Sequence, residues 1–148
     1  MLVALIAVSF AAGAVGAALG GDMSADQWYQ SLRKPWFSPP GWVFGPVWSL
    51  LYLSMGVAAW LTWRHGRATV AMSLFAIQLA LNAAWTGVFF GLHLPGLAFA
   101  ELMLLWVAVV ATVVAFAARS RWAGRLMLPY LTWISFAAVL NFAIWQLN

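Results

Sequence analysis

Trp28-Tyr29-Gln30-Ser31-Leu32-Arg33-Lys34-Pro35-Trp36-Phe37-Ser38-Pro39-Pro40 is the stretch that decides how the rest of the chain is read. Its prolines remove backbone donors and push each preceding residue towards extended geometry, so it is no membrane helix. Yet it carries Trp28, Tyr29 and Trp36, side chains that favour the membrane–water boundary, with the ring buried and the polar tip wet. The stretch therefore reads as the middle of an ordered cap, residues 22–42, lying over one end of a helix bundle. Such a cap is a lid over whatever the bundle holds.

On either side of it the chain is almost wholly apolar. Of 148 residues 66% are hydrophobic and only 7% charged, against about 25% charged in an ordinary soluble domain. A membrane span needs about 20 apolar residues, which leaves room for five spans, short loops and no separate catalytic module. They fall at residues 2–20, 43–63, 68–91, 97–118 and 126–147. None alternates as a barrel strand does. The expected fold is all-α: one integral-membrane domain over 1–148, a five-helix bundle with the first loop capping a ligand pocket.

Local signals set the breaks. His93-Leu94-Pro95-Gly96 is a tight turn, Arg119 to Arg125 a basic connection, and Pro129 falls in the opening turn of the last span. The first run rivals a signal peptide, but it lacks an early Lys or Arg and exceeds the usual apolar core of one, which favours a retained helix. Gly16 and Gly20 allow close helix approach. Ala83, Gly87 and Gly91 give the third span a similar small-residue face. Both suit packing inside the bundle or a homodimer.

The net charge of +4 does not mean nucleic acid, because the cations sit at span ends rather than in a run. Arg64, Arg67, Arg119, Arg121 and Arg125 share one side, against Arg33 and Lys34 on the other. That puts the N-terminus on the cytoplasmic face, with the cap opposite. With no cysteine and only scattered His and acids, no metal centre is expected. No nucleophile has a partnering base and no glycine loop would cradle phosphate, which argues against hydrolytic and phosphoryl chemistry.

Several helical faces do carry unusual residues. Gln78, Asn82, Trp85 and Phe89 share one face of the third span by their spacing of four, three and four. The two amides either bond neighbouring helices or orient a ligand's polar edge. Trp48 and Tyr52 lie one turn apart on the second span. Tyr130, Trp133, Ala137 and Asn141 share a face of the fifth, where small Ala137 leaves space beside the Trp133 indole. Eleven tryptophans exceed what packing needs, and Trp48, Trp85 and Trp133 lie deeper than interfacial anchors would. Together these faces predict a flat, aromatic-lined cavity. Micromolar binding needs roughly 8 kcal/mol and an aromatic contact adds about 1 beyond burial, so a large planar guest fits better than a small polar one. Arg33 and Lys34 could meet its carboxylates or anchor at the interface. Glu101, the one acid within a span, is a candidate proton or polar site.

In these motifs the chain resembles the translocator-protein, or tryptophan-rich sensory protein, family. Trp28-Tyr29, Leu32, Lys34-Pro35 and Pro39-Pro40 resemble its first-loop signature, and Pro46-x-Trp48-x-x-Leu51-Tyr52 its second helix. Gln78-Leu79-x-Leu81-Asn82-x-x-Trp85 with Phe89-Phe90 resembles the third. Pro129-Tyr130-x-x-Trp133-x-x-Phe136-Ala137-x-x-Leu140-Asn141 resembles the fifth. The resemblance implies a bundle, often dimeric, that binds porphyrins such as protoporphyrin IX, and benzodiazepine-type ligands, under the first loop. It implies a role in tetrapyrrole regulation or transport, with no cofactor required. Tyr29, Trp48, Asn82, Trp133 and Ala137 would line the pocket, with Trp36, Gln78 and Trp85 nearby. Two alternatives stay open: light-dependent porphyrin breakdown with Trp48 and Trp133 as redox residues, and a transporter using Glu101. The animal sterol motif is incomplete, since residues 140–146 lack both its Tyr and its following Lys or Arg. A bacterial cell membrane is the expected setting.

Overall fold

The computed structural model describes residues 1–22, 26–66 and 68–148. Arg67, counted above among the charges that set orientation, lies outside the described residues, as do residues 23–25 of the cap. The elements are α1 (Leu2–Gly20), α2 (Gln27–Ser31), α3 (Phe44–Trp63) entered through a 3-10 turn at Gly41–Val43, α4 (Thr69–Thr86) continuing into a π turn (Gly87–Gly91), α5 (Pro95–Ala117) and α6 (Arg121–Leu147). Five stretches are long and apolar enough to cross a bilayer, and the described residues contain no strand. The chain is a multi-pass integral membrane protein.

Two boundaries differ from the expectation. α6 starts at Arg121, because the Ser120 hydroxyl caps it by accepting the Ala123 N–H at 3.4 Å. Most of the supposed basic connection is therefore helix, and Pro129 lies inside it rather than in the opening turn. Proline there leaves one carbonyl of the preceding turn without its helical donor. In the neighbouring position the Ser54 hydroxyl of α3 donates to the Leu126 carbonyl at 2.6 Å, which ties α3 to α6 beside the proline.

The half of the bundle away from the cap is packed solid around Met55, Phe75, Leu105, Phe116, Met127 and Ile134. Where it gives way to the cap half, the Tyr52 hydroxyl donates to Asn82 Oδ1 at 2.8 Å, and Asn82 Nδ2 donates to the Tyr130 hydroxyl at 3.0 Å. This chain ties α3, α4 and α6 together. Polar groups in hydrocarbon must find partners within the protein, and here a sequence-distant trio does so.

α1 is apolar all round and buries only Leu5, Ser9, Gly16 and Gly20. Its position follows from its small residues. A Cβ on Gly56 of α3 would come within 2.6 Å of the Ile6 backbone, and one on Gly13 within 2.5 Å of the Tyr52 ring. Further along, Gly16 and Gly20 lie against Thr86 and Phe90, while Gly87 and Gly91 receive Leu19. The two small-residue faces thus meet each other inside one chain. α1 crosses α3 tightly at one end, then leans onto α4 and leaves a wedge beside α3 near the cap.

The π turn matters for the same region. Leu92 N–H reaches back to the Gly87 carbonyl at 2.9 Å, a wider loop than an α-turn. Adjacent Phe89 and Phe90 are both buried as a result.

Candidate ligand-binding site beneath the cap

The cap is fastened at two points to the bundle end. Asp26 caps α2: its Oδ1 accepts the Trp28 N–H at 3.0 Å, and its Oδ2 lies 3.5 Å from His93 Nε2 in the α4–α5 turn. His93 adopts a left-handed backbone, φ 58°, and stacks its ring on Trp28 at 4.3 Å and 17°. At the second point Asn148 Oδ1 accepts the Arg33 N–H, and its Nδ2 donates to the Arg33 carbonyl, both at 3.0 Å. Between them Tyr29 is buried edge-on against Phe90 at 5.2 Å, with Lys34 Nζ 4.5 Å above its ring. Burial pushes the Tyr29 phenol above its ordinary range, so it stays neutral.

Under this lid the rings converge from separate helices. Trp48 stacks on Tyr52 (5.4 Å, 27°) and meets Trp133 edge-on at 6.5 Å. Trp85 stacks on Phe89, and its indole N–H donates to Asn141 Oδ1 at 3.1 Å. Asn141 Nδ2 in turn donates to the Pro95 carbonyl at 2.8 Å. One asparagine thus orients an indole from α4 and ties α6 to the start of α5.

Two cavities share this aromatic wall. The inner one, about 40 Å³, lies among Trp48, Trp85, Phe89, Trp133, Phe136, Ala137 and Asn141, with Tyr29 above. The outer one, about 1530 Å³, fills the wedge between α1 and α3 under the cap. Tyr29, Phe44, Trp48, Trp85 and Phe90 line both. They form a partition rather than the bottom of one pocket.

Of the residues expected from sequence, Tyr29, Trp48, Trp85, Phe89, Trp133 and Ala137 reach the inner cavity, and Tyr52 and Lys34 the outer one. Asn82 and Gln78 line neither. Asn82 serves the interhelical chain, and Gln78 Nε2 points at Met55 Sδ, 3.6 Å away. Both amides are thus engaged between helices. Trp36 lines neither cavity and is 95% exposed, with its ring edge-on to Phe37. Arg33 is held by its main chain to Asn148 and also lines neither. Both Glu101 carboxyl oxygens are shut off from solvent without a hydrogen-bond partner among the described residues, and the side chain reaches neither cavity.

Phe44, Phe90, Phe136, Leu140, Asn141 and Ile144 also line the inner cavity. Asn141 already stands on the Trp133–Ala137 face read from sequence, and Leu140 and Ile144 continue that stripe at helical spacing. Phe44 offered no such signal.

The sequence matches the TspO/MBR family over residues 4–146. It is 44% identical over 128 residues to the tryptophan-rich protein TspO of Chlorobaculum tepidum, covering 84% of this chain and 81% of that one. It is 39% identical over 152 residues to protein CrtK of Rhodobacter capsulatus, covering 100% and 95%. With the human translocator protein it shares 42% identity over 127 residues, covering 82% and 75%.

Proposed function

Because the chain belongs to the TspO/MBR family, we propose that it is a membrane receptor for porphyrins and similar flat lipophilic ligands, acting in tetrapyrrole regulation or transport. The observation that carries this is the aromatic partition. Indoles from α3, α4 and α6 and a phenol from the cap meet under a lid fastened at both ends. Such a wall offers flat π faces and few polar groups, which suits a conjugated macrocycle and gives a small metabolite little to hold. In this reading the N-terminus faces the cytoplasm of a bacterial cell, since Arg64, Arg119, Arg121 and Arg125 lie at the end away from the cap.

Titrating protoporphyrin IX while following tryptophan fluorescence tests the proposal. Trp48→Phe should weaken binding about fivefold, the worth of roughly 1 kcal/mol of ring contact. If both Trp48→Phe and Trp133→Phe bind with wild-type affinity, the partition is not the site.

The contact between Trp48 and Trp133 supports a second reading, light-dependent porphyrin breakdown. Trp48 would lend one electron to the photoexcited ring, with Trp133 sharing the hole, and would take it back once dioxygen has added across a meso bridge; the C–C bond there breaks and each oxygen atom ends as a carbonyl on one of its two carbons, so the porphyrin is the reductant and dioxygen the oxidant. Light- and oxygen-dependent loss of the Soret band should then require both indoles. Equal loss in the double Phe variant rejects it.

A further inference from the structure

We propose that the start of α6 binds the headgroup of an anionic phospholipid, its phosphodiester held by the Arg121 and Arg125 guanidiniums beside the Trp122 ring. The site lies at the end of the bundle away from the cap, so it does not depend on what the cap covers.

Arg121 and Arg125 are both exposed, and both turn to one indole: their Cζ atoms lie 6.0 and 5.0 Å from the centre of the Trp122 ring. Residues four apart on a helix are neighbours, and like charges so placed repel. Both also stand near the N-terminus of α6, where the peptide dipoles present their positive end and favour an acid. The first turn holds none. No acid of the chain lies at this end at all: the three are Asp22 and Asp26 of the cap and Glu101 in the cap-side half of α5. Exposed Arg119 and Arg64 add two more cations, the latter 4.9 Å from the Trp60 ring. The counter-charge for this cluster therefore comes from outside the chain.

The pair is carried on anchored helix rather than on a loose loop. The turn before α6 is only residues 118–120, Ser120 caps the helix, and a Cβ on Gly124 would come within 2.6 Å of Ala117. Planar guanidinium forks set in this way match the oxygens of a phosphate. The surface that follows identifies the source of that phosphate as a lipid. Arg121, Arg125, Leu128 and Thr132 succeed one another at spacings of four, three and four, and all are exposed. The arginine face thus runs directly into the outer side of a membrane span, with exposed Trp122 at its edge, where indoles favour the membrane–water boundary. A soluble phosphate would leave that track unused. A headgroup bearing an amine would bring a further cation to a place with no acid to receive it. The chemistry that fits is an anionic headgroup without an amine, as in phosphatidylglycerol.

Native mass spectrometry of the intact protein in detergent, titrated with dioleoyl phosphatidylglycerol or dioleoyl phosphatidylcholine, tests this. The wild type should hold phosphatidylglycerol with a Kd at least about fivefold lower, the worth of one interfacial arginine. Arg121→Gln/Arg125→Gln should bring the two lipids to equal affinity. Arg64→Gln/Arg119→Gln removes the same charge from the same end and should leave most of the preference. Arg121→Lys/Arg125→Lys keeps the charge but loses the planar fork, and should lose most of it. Equal losses from the two glutamine pairs, or full preference in the lysine pair, would overturn the site and leave a diffuse positive end. No preference in the wild type would overturn it outright. Glycerol 1-phosphate, the headgroup without its chains, should not displace the lipid, and displacement would overturn the lipid assignment. Melting curves in detergent alone show whether each variant is folded. Should the Arg121/Arg125 glutamine pair melt early, the lysine pair and the wild-type titration still decide.

Discussion

The two halves of this bundle use similar apolar residues and end up physically opposite. Away from the cap, Met55, Phe75, Phe116 and Met127 interlock with almost no space left. Towards the cap, larger rings are gathered around two cavities. Bulk does not explain the difference. It comes from where α1 goes: fitted into Gly56 at one end, drawn onto Gly87 and Gly91 of the π turn after α4 at the other. Small residues pack the first half shut. In the second they pull a helix aside and leave room. The Tyr52–Asn82–Tyr130 chain marks the seam between the two regimes.

The contrast can be broken from the closed side first. Gly56→Leu should be the most damaging change, since even a Cβ there collides with the Ile6 backbone at 2.6 Å. A loss of at least about 3 kcal/mol is expected, or failure to fold. Gly45→Ala in the open half meets nothing within 4 Å and should change stability by no more than about 0.5 kcal/mol. Parallel melting curves for the two variants would erase the distinction between the halves.

At the seam, Asn82→Leu strands the Tyr52 and Tyr130 hydroxyls in the interior and should cost about 2–3 kcal/mol. The Tyr52→Phe/Asn82→Leu double variant should recover part of that, because one stranded hydroxyl is gone. A strictly additive cycle in detergent unfolding would show that the chain is not coupled.

Glu101→Leu tests the opposite sign. It removes a carboxyl whose oxygens are buried without a partner among the described residues, so stability should rise by about 1–2 kcal/mol. A marked loss instead would mean that the carboxyl is satisfied in the working protein.

The smallest global effect is expected at the lid. Asn148→Ala removes both side-chain bonds to the Arg33 main chain and should shift the melting temperature little. Amide exchange at Arg33 and its neighbours should nevertheless speed up about fivefold, for roughly 1 kcal/mol of local opening. Unchanged exchange would show that the cap is held elsewhere.

Much of this was legible in the residues. Five spans, the non-helical proline-rich segment between the first two and the inward faces of α3 and α6 all follow from hydropathy, proline placement and helical spacing, each readable within a short window. Trp48, Trp85, Trp133 and Ala137 were found that way, and they converge. Asn82 and Gln78 were recognised as inward-facing, but their role was not decided. An amide's spacing places it on a face without naming its partner, and those partners, Tyr52 and Tyr130, lie 30 and 48 residues from Asn82. The exposure of Trp36 was not legible for a related reason: it sits beside residues that turn inward, but an extended proline-rich segment has no fixed period to say which way it points.

What the sequence determined by itself is the membrane setting, the helix count and the presence of an aromatic wall, because burial and proline chemistry act locally. Only the tertiary structure decided that this wall is a partition, with about 1530 Å³ on the α1 side and about 40 Å³ on the other. The volume left between helices depends on how closely every pair approaches at once. A glycine such as Gly91 permits a close approach, but only its partner Leu19 shows which helix makes it.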